Sequence, residues 1–190
     1  MPRLAPKTSV SFDWVSSMCL DVLRCAQTSD DTAKLWDAET GRVLFMLRGH
    51  SAWVQDVCSS SDGHQVATAS WDNTPKIWNA ETGQEIHTLK GHTRWVLSVC
   101  YSPDGERLAT GSQDSTVKLW YARNRQDAVL FRHQNAGVSG VCFSPDSKFL
   151  AAGGGGPLFL PGKPSEVAVW DVSTGRQKPY GAHPSTTEIK

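Results

Sequence analysis

The chain has 190 residues, and its 19 Lys+Arg balance its 19 Asp+Glu, so the formal net charge is zero. No basic cluster offsets that balance, which argues against a nucleic-acid partner. Apolar stretches of a few residues fall far below the ~20 that a membrane span needs, which argues against a membrane partner. A hydrophobic content of 39% is too high for a disordered chain. Residues 1–11 form a polar N-terminal extension with two prolines and no apolar core of a secretory signal.

From residue 12 the sequence repeats. Trp36, Trp78 and Trp120 are 42 residues apart, and Trp170 follows 50 later. Trp14, Trp53 and Trp95 form a second series spaced 39 and 42, and Gly49-His50 and Gly91-His92 are again 42 apart. The first unit, 12–48, lacks Gly-His; Ser11 stands where the His would be, and the residues missing from its first turn fall at Leu20-Asp21-Val22. The second, 49–90, is intact apart from Ser61 in place of a turn proline and Pro75 in the third strand, where proline is tolerated mainly at a sheet edge or strand start.

The third unit, 91–132, is the most regular, although Tyr121 follows Trp120 where Asp follows Trp36. It predicts four short strands, 96–101, 107–112, 116–121 and 128–132, with Ser102-Pro103-Asp104-Gly105 and Gln113-Asp114-Ser115 as turns. Strands this short, with turns every ~8–12 residues, predict an antiparallel all-β fold. The fourth unit, 133–183, begins irregularly at Arg132-His133, lacks the tight-turn Asp and carries a Gly- and Pro-rich insertion over 153–164. Residues 184–190 are a C-terminal tail.

Units of about 42 residues with Gly-His near the start, Ser-Pro-Asp-Gly in the first turn and Trp-Asp at the end of the third strand resemble WD40 repeats. The resemblance covers 12–183 and implies that each unit builds a four-stranded blade of a β-propeller. Members of this family most often have seven blades, which would take ~290 residues, so about four repeats imply a partial propeller. Three explanations stand side by side: a fragment or shortened product of a longer gene, two chains pairing to complete a ring, and closure alone as a small propeller, the least favoured. An open end leaves strand edges unpaired.

Asp lies six residues before the third-strand Trp (Asp30, Asp72, Asp114) and Ser or Thr eight before it (Thr28, Ser70, Ser112), with His50 and His92 opening units two and three. Ser, His and Asp together suggest a hydrolase triad, but a catalytic site need occur only once and this set is repeated with a Trp attached. The family resemblance implies instead a buried hydrogen-bond network in each unit, in which Asp accepts from His, and Ser or Thr and the indole of Trp36, Trp78 or Trp120 complete the chain. Cys19, Cys58, Cys100 and Cys142 occupy one repeat position and read as small core hydrophobes rather than zinc ligands. With Cys25 they number five, which favours a reducing compartment. Gly156 to Lys163 departs from a phosphate-binding loop, because Pro157 and Pro164 interrupt it and no helix follows. Neither cofactor nor metal is expected.

Positions where the repeats disagree on a constant scaffold nominate a partner-binding surface. They are Ser29, Trp71 and Gln113 before the tight-turn Asp, with Ala52/Arg94 and Gln55/Leu97 near the first strands. In propellers of this family such positions commonly lie on the narrow, partner-binding face. Trp71 stands outside both tryptophan series and suits an interface anchor, or packing on a neighbouring blade. Trp53 and Trp95, at one repeat position, suit packing, and Lys34, Lys76 and Lys118 suit a solvated strand face. The expected function is a non-catalytic scaffold that assembles other proteins or peptides. The alternative is the sensor or substrate-docking region of a larger NTPase- or kinase-type enzyme whose catalytic domain lies elsewhere. A cytoplasmic or nuclear location follows from the thiols and the lack of a signal.

Overall fold

The computed structural model describes residues 23–27, 31–121, 127–132, 137–154 and 166–179. Those residues contain no helix. They form four antiparallel sheets, each a meander of strands consecutive in the chain. The first has three described strands, β1 (Leu23–Gln27), β2 (Thr32–Asp37) and β3 (Val43–Arg48). The second has β4 (Val54–Ser59), β5 (Gln65–Ser70), β6 (Pro75–Asn79) and β7 (Glu85–Thr88). The third has β8 (Val96–Tyr101), β9 (Arg107–Ser112), β10 (Thr116–Tyr121) and β11 (Asp127–Arg132). The fourth has β12 (Val138–Phe143), β13 (Phe149–Gly154), β14 (Glu166–Asp171) and β15 (Gln177–Lys178). This is an all-β, partial β-propeller, one sheet to each repeat unit.

The turns form as their residues dictate. Ser60 and Ser102 each bond the Asp two residues on, and Gly63 and Gly105 take φ of 73° and 71°, a left-handed backbone that needs no Cβ. Pro75 is the first residue of β6, so its missing N–H costs the ladder little.

The core lies between the sheets rather than within them, in three clusters. Ala33, Leu35 and Leu47 of the first sheet meet Val54, Val66 and Trp78 of the second. Ala67, Ala69 and Ile77 meet Leu108 and Trp120 of the third. Ala109, Val117 and Leu119 meet Leu150, Ala168 and Trp170 of the fourth. Along each strand one set of alternate residues therefore faces the preceding sheet and the other the following one. Polar bonds cross the same seams: Asp56 Oδ2 accepts from Ser98 Oγ at 3.0 Å and Val99 N at 2.9 Å, and Ser98 Oγ accepts from Val141 N at 3.2 Å.

Two readings of the sequence are corrected. Lys76 does not sit on a solvated strand face: it is buried, and its ammonium bonds Glu85 at 2.8 Å and Thr88 at 2.6 Å, because β7 lies against it. Lys34 and Lys118 are half-buried. The cysteines are not uniformly core. Cys58 and Cys100 are half-buried and pack into the seams, whereas Cys142 is exposed, because no described sheet follows the fourth. Cys19 and the insertion from residue 155 lie outside the described residues, as does the side chain of Cys25.

Candidate partner-binding face

The loop entering each sheet is fastened to the turn between its second and third strands. His50 Nδ1 lies 2.7 Å from Asp72 Oδ2, and His92 Nδ1 lies 2.9 Å from Asp114 Oδ2. His50 Nε2 lies 2.7 Å from Thr68 Oγ1, which also receives Trp78 Nε1 at 2.9 Å. His92, Thr110 and Trp120 repeat this at 2.8 and 2.9 Å. A carboxylate oxygen can only accept and an indole N–H can only donate. With a neutral His50 imidazole the chain of bonds runs one way: Trp78 donates to Thr68, Thr68 to His50 Nε2, and His50 Nδ1 to Asp72. Burial opposes ionisation of Asp72 and Asp114, but bonds from His50 and Thr74, or from His92 and Thr116, outweigh it and hold both carboxyls well below the usual carboxylate range.

The glycine of each Gly-His pair is favoured by its backbone, and the space beside it is tight. Gly49 and Gly91 both take φ of 152°. A Cβ on Gly49 would lie 3.3 Å from the Trp78 ring, and one on Gly91 would lie 2.9 Å from Lys118 Nζ.

The hydroxyl between His and Trp is that of Thr68 or Thr110, ten residues before the Trp, and not that of Ser70 or Ser112. Those serines donate to the carbonyls of Ala52 and Arg94 at 2.9 and 3.0 Å and accept the N–H of Asp72 and Asp114 at 3.1 Å. Ser70 stands opposite Val54 at the mouth of the sheet, and the imidazole reaches past it to Thr68, opposite Lys76. In the first unit, Thr28 and Asp30 lie outside the described residues. Trp36 Nε1 is buried and has no hydrogen-bond partner among the described residues. The residue ten before it is Ala26, paired with Lys34 as Thr68 is with Lys76.

Thr68, His50 and Asp72 stand in the order of a catalytic triad, yet they cannot perform that chemistry. Thr68 is fully buried, and its hydroxyl is engaged by both His50 and Trp78. No substrate carbonyl can approach it. Among the described residues no group of three or more His, Cys, Asp or Glu could hold a metal ion.

Three tryptophans stand together on this face. Trp71 lies parallel to Trp95, with centroids 4.1 Å apart and an interplanar angle of 4°, and Trp53 packs on it at 4.8 Å and 34°. Trp71 N donates to Trp53 O at 2.9 Å, and its Nε1 donates to Gln55 Oε1 at 2.9 Å. Trp71 thus bridges two neighbouring sheets, half-buried, while Trp53 and Trp95 remain 52% and 37% exposed. The repeat position that suited packing is also surface. Arg94 is exposed beside Trp95, and Ala52, Gln55 and Gln113 are half-buried. Leu97 is buried, because β8 turns it into the fold, so it offers no contact surface. Ser29 lies outside the described residues.

The profile of the family described as "WD domain, G-beta repeat" matches residues 41–79, 83–121 and 125–156, more than half of the chain. The chain belongs to this WD40-repeat family. Similar stretches occur in the Nuclear distribution protein PAC1-2 of Uncinocarpus reesii, 45% identical over 47 residues, which is 25% of this chain and 10% of that protein. The Nuclear distribution protein PAC1 of Arthroderma benhamiae is 49% identical over 41 residues, 22% of this chain and 9% of its own length. The Ribosome assembly protein 4 of Chaetomium thermophilum is 40% identical over 58 residues, 30% of this chain and 10% of that protein. The matches span about a tenth of the length of these relatives, or less.

Proposed function

We propose that this chain is a non-catalytic interaction scaffold that docks proteins or peptides on the face carrying Trp53, Trp71 and Trp95. The observation that carries the reading is the stack of three indoles, two of them exposed, on loops fastened by His50–Asp72 and His92–Asp114. Large aromatic surfaces on a rigid support lose little freedom on binding and are frequent interface anchors. Arg94 at the edge of the stack supplies a charged rim. Kinship with nuclear distribution and ribosome assembly proteins supports an assembly role in the cytoplasm or nucleus.

The test is selection from a displayed peptide library on the purified chain, repeated with Trp53→Ala and Trp71→Ala. Peptides that bind the parent and lose affinity for both variants, while the variants keep the parental far-UV spectrum, support the reading. An absence of binders, or binders indifferent to both substitutions, refutes it.

A further inference from the structure

We infer that the partner of the indole face is an acidic peptide segment, whose Asp or Glu side chains pair with Arg94 while a large apolar side chain lies against Trp53 and Trp95. This inference rests on the docking role proposed above for that face. It follows from which polar groups there are already engaged.

The acceptors are spent. Asp72 accepts from His50, the Ser51 amide and Thr74, and Asp114 accepts from His92, the Thr93 amide and Thr116. Both carboxylates are nearly buried, with side chains 8% and 9% exposed. Gln55 Oε1 is held by the Trp71 indole. The backbone is committed too: the carbonyls of Ala52 and Arg94 accept from Ser70 and Ser112, and those of Trp53 and Trp95 accept from the amides of Trp71 and Gln113.

The donors are open. Lys90 and Arg94 are exposed on the loop that carries Trp95, and neither has an ion-pair partner among the described residues. The indole N–H groups of Trp53 and Trp95 likewise bond no described residue. The exposed carboxylate on the described part of these turns, Asp31, stands on the first sheet, with the second sheet between it and Arg94. A ligand must therefore bring acceptors. Beside a guanidinium a carboxylate serves best, because Arg can hold it through two parallel bonds.

The rings favour the same sign. Trp71 has one indole at 4.1 Å and another at 4.8 Å, so its faces are occupied and its rim is what remains open. The rim is the electropositive part of an aromatic ring. A cationic ligand would need an open ring face, and it would meet Arg94 as a like charge. Two open cations on a chain of zero net charge suit a short acidic segment, whereas a phosphate backbone calls for a longer basic track.

The experiment starts from the peptides selected on the purified parent chain, sequenced and compared with the input library. Asp and Glu should be enriched beside a large apolar residue. One acidic binder is then synthesised with a fluorescent label and titrated by anisotropy. Its Asn/Gln counterpart should bind the unmodified chain about tenfold more weakly, and Arg94→Glu should weaken the acidic peptide by about as much. Arg94→Lys should keep most of the affinity. Arg42→Glu makes the same charge change in the turn between β2 and β3, at the opposite end of the first sheet, and should leave affinity unchanged. Added salt should weaken binding. Binders that need Trp53 but carry no excess of acid would overturn this inference and leave the docking role standing. So would an Arg94→Glu effect no larger than that of Arg42→Glu, or displacement of the peptide by an equal concentration of single-stranded oligonucleotide. An absence of any binder would overturn the docking role itself, and this inference with it.

Discussion

Asp56 and Val99 are 43 residues apart in sequence, and their carboxylate-to-amide bond of 2.9 Å joins the first strands of two neighbouring sheets. Burial pushes the Asp56 carboxyl up, against the bonds it accepts from Val99, Ser98 and Val57. Asp56→Ala would leave the Ser98 hydroxyl and the Val99 amide without their acceptor, and should cost ~1–3 kcal/mol. A urea midpoint equal to that of the parent would refute the importance of this seam bond.

Asp114→Ala removes the acceptor of His92, Thr116 and the Thr93 amide. A loss of ~1–3 kcal/mol is expected, with a smaller loss for Asp114→Asn, which keeps one oxygen. Denaturation midpoints of the two variants check the order.

The depressed carboxyls make a pH prediction with a definite sign. Asp72 and Asp114 ionise at lower pH in the folded chain than in the unfolded chain. Their stabilisation is fully present above the unfolded value of about 4 and is lost as pH falls towards the folded one. Below about pH 4, Asp72→Asn should therefore lose stability less steeply than the parent. Chemical denaturation at a series of acid pH values gives the slopes, and parallel slopes would contradict the assignment.

Trp36 Nε1 is buried without a partner among the described residues, and Ala26 occupies the register position of Thr68. Ala26→Thr should supply the missing hydroxyl and stabilise by about 1 kcal/mol. An unchanged or lower thermal midpoint would show that the first unit does not reproduce the geometry of the second.

Lys76 and Glu85 allow the buried cation to be tested. Glu85→Ala removes the counter-charge of the Lys76 ammonium and leaves it only the Thr88 hydroxyl, and because Glu85 is one-third exposed the cost should be ~1–2 kcal/mol, below that of a fully buried pair. Lys76→Met removes the charge altogether and should be milder. The reverse order in denaturation midpoints would refute this account.

Much of the fold was legible because the repeat is written in large residues. The tryptophan and Gly-His periods marked the units, and the β-branched, apolar runs between the turns Ser102–Gly105 and Gln113–Ser115 placed β8, β9 and β10 to the residue. The inner chain of the network was not. Two hydroxyl positions, ten and eight residues before the Trp, lie on the same strand, and spacing alone does not say how far an imidazole reaches. A signal was present nonetheless: Thr68 and Thr110 occur ten before the Trp in the two units with Gly-His, whereas Ala26 stands there in the first unit, which lacks it. The tryptophan stack was hidden for another reason. Trp71 and Trp95 belong to different units, and their parallel contact depends on how two sheets lie side by side.

Each sheet is a meander of strands that follow one another in the chain. No sheet has to wait for a distant segment before its ladder closes, so loop-closure costs stay small and a unit can take shape soon after it is synthesised. Stability then builds by addition, from the intrinsic stability of each unit and from each seam. The second and third units, which hold complete networks, are the natural starting points, and damage to one seam should loosen its neighbours before it unravels the whole.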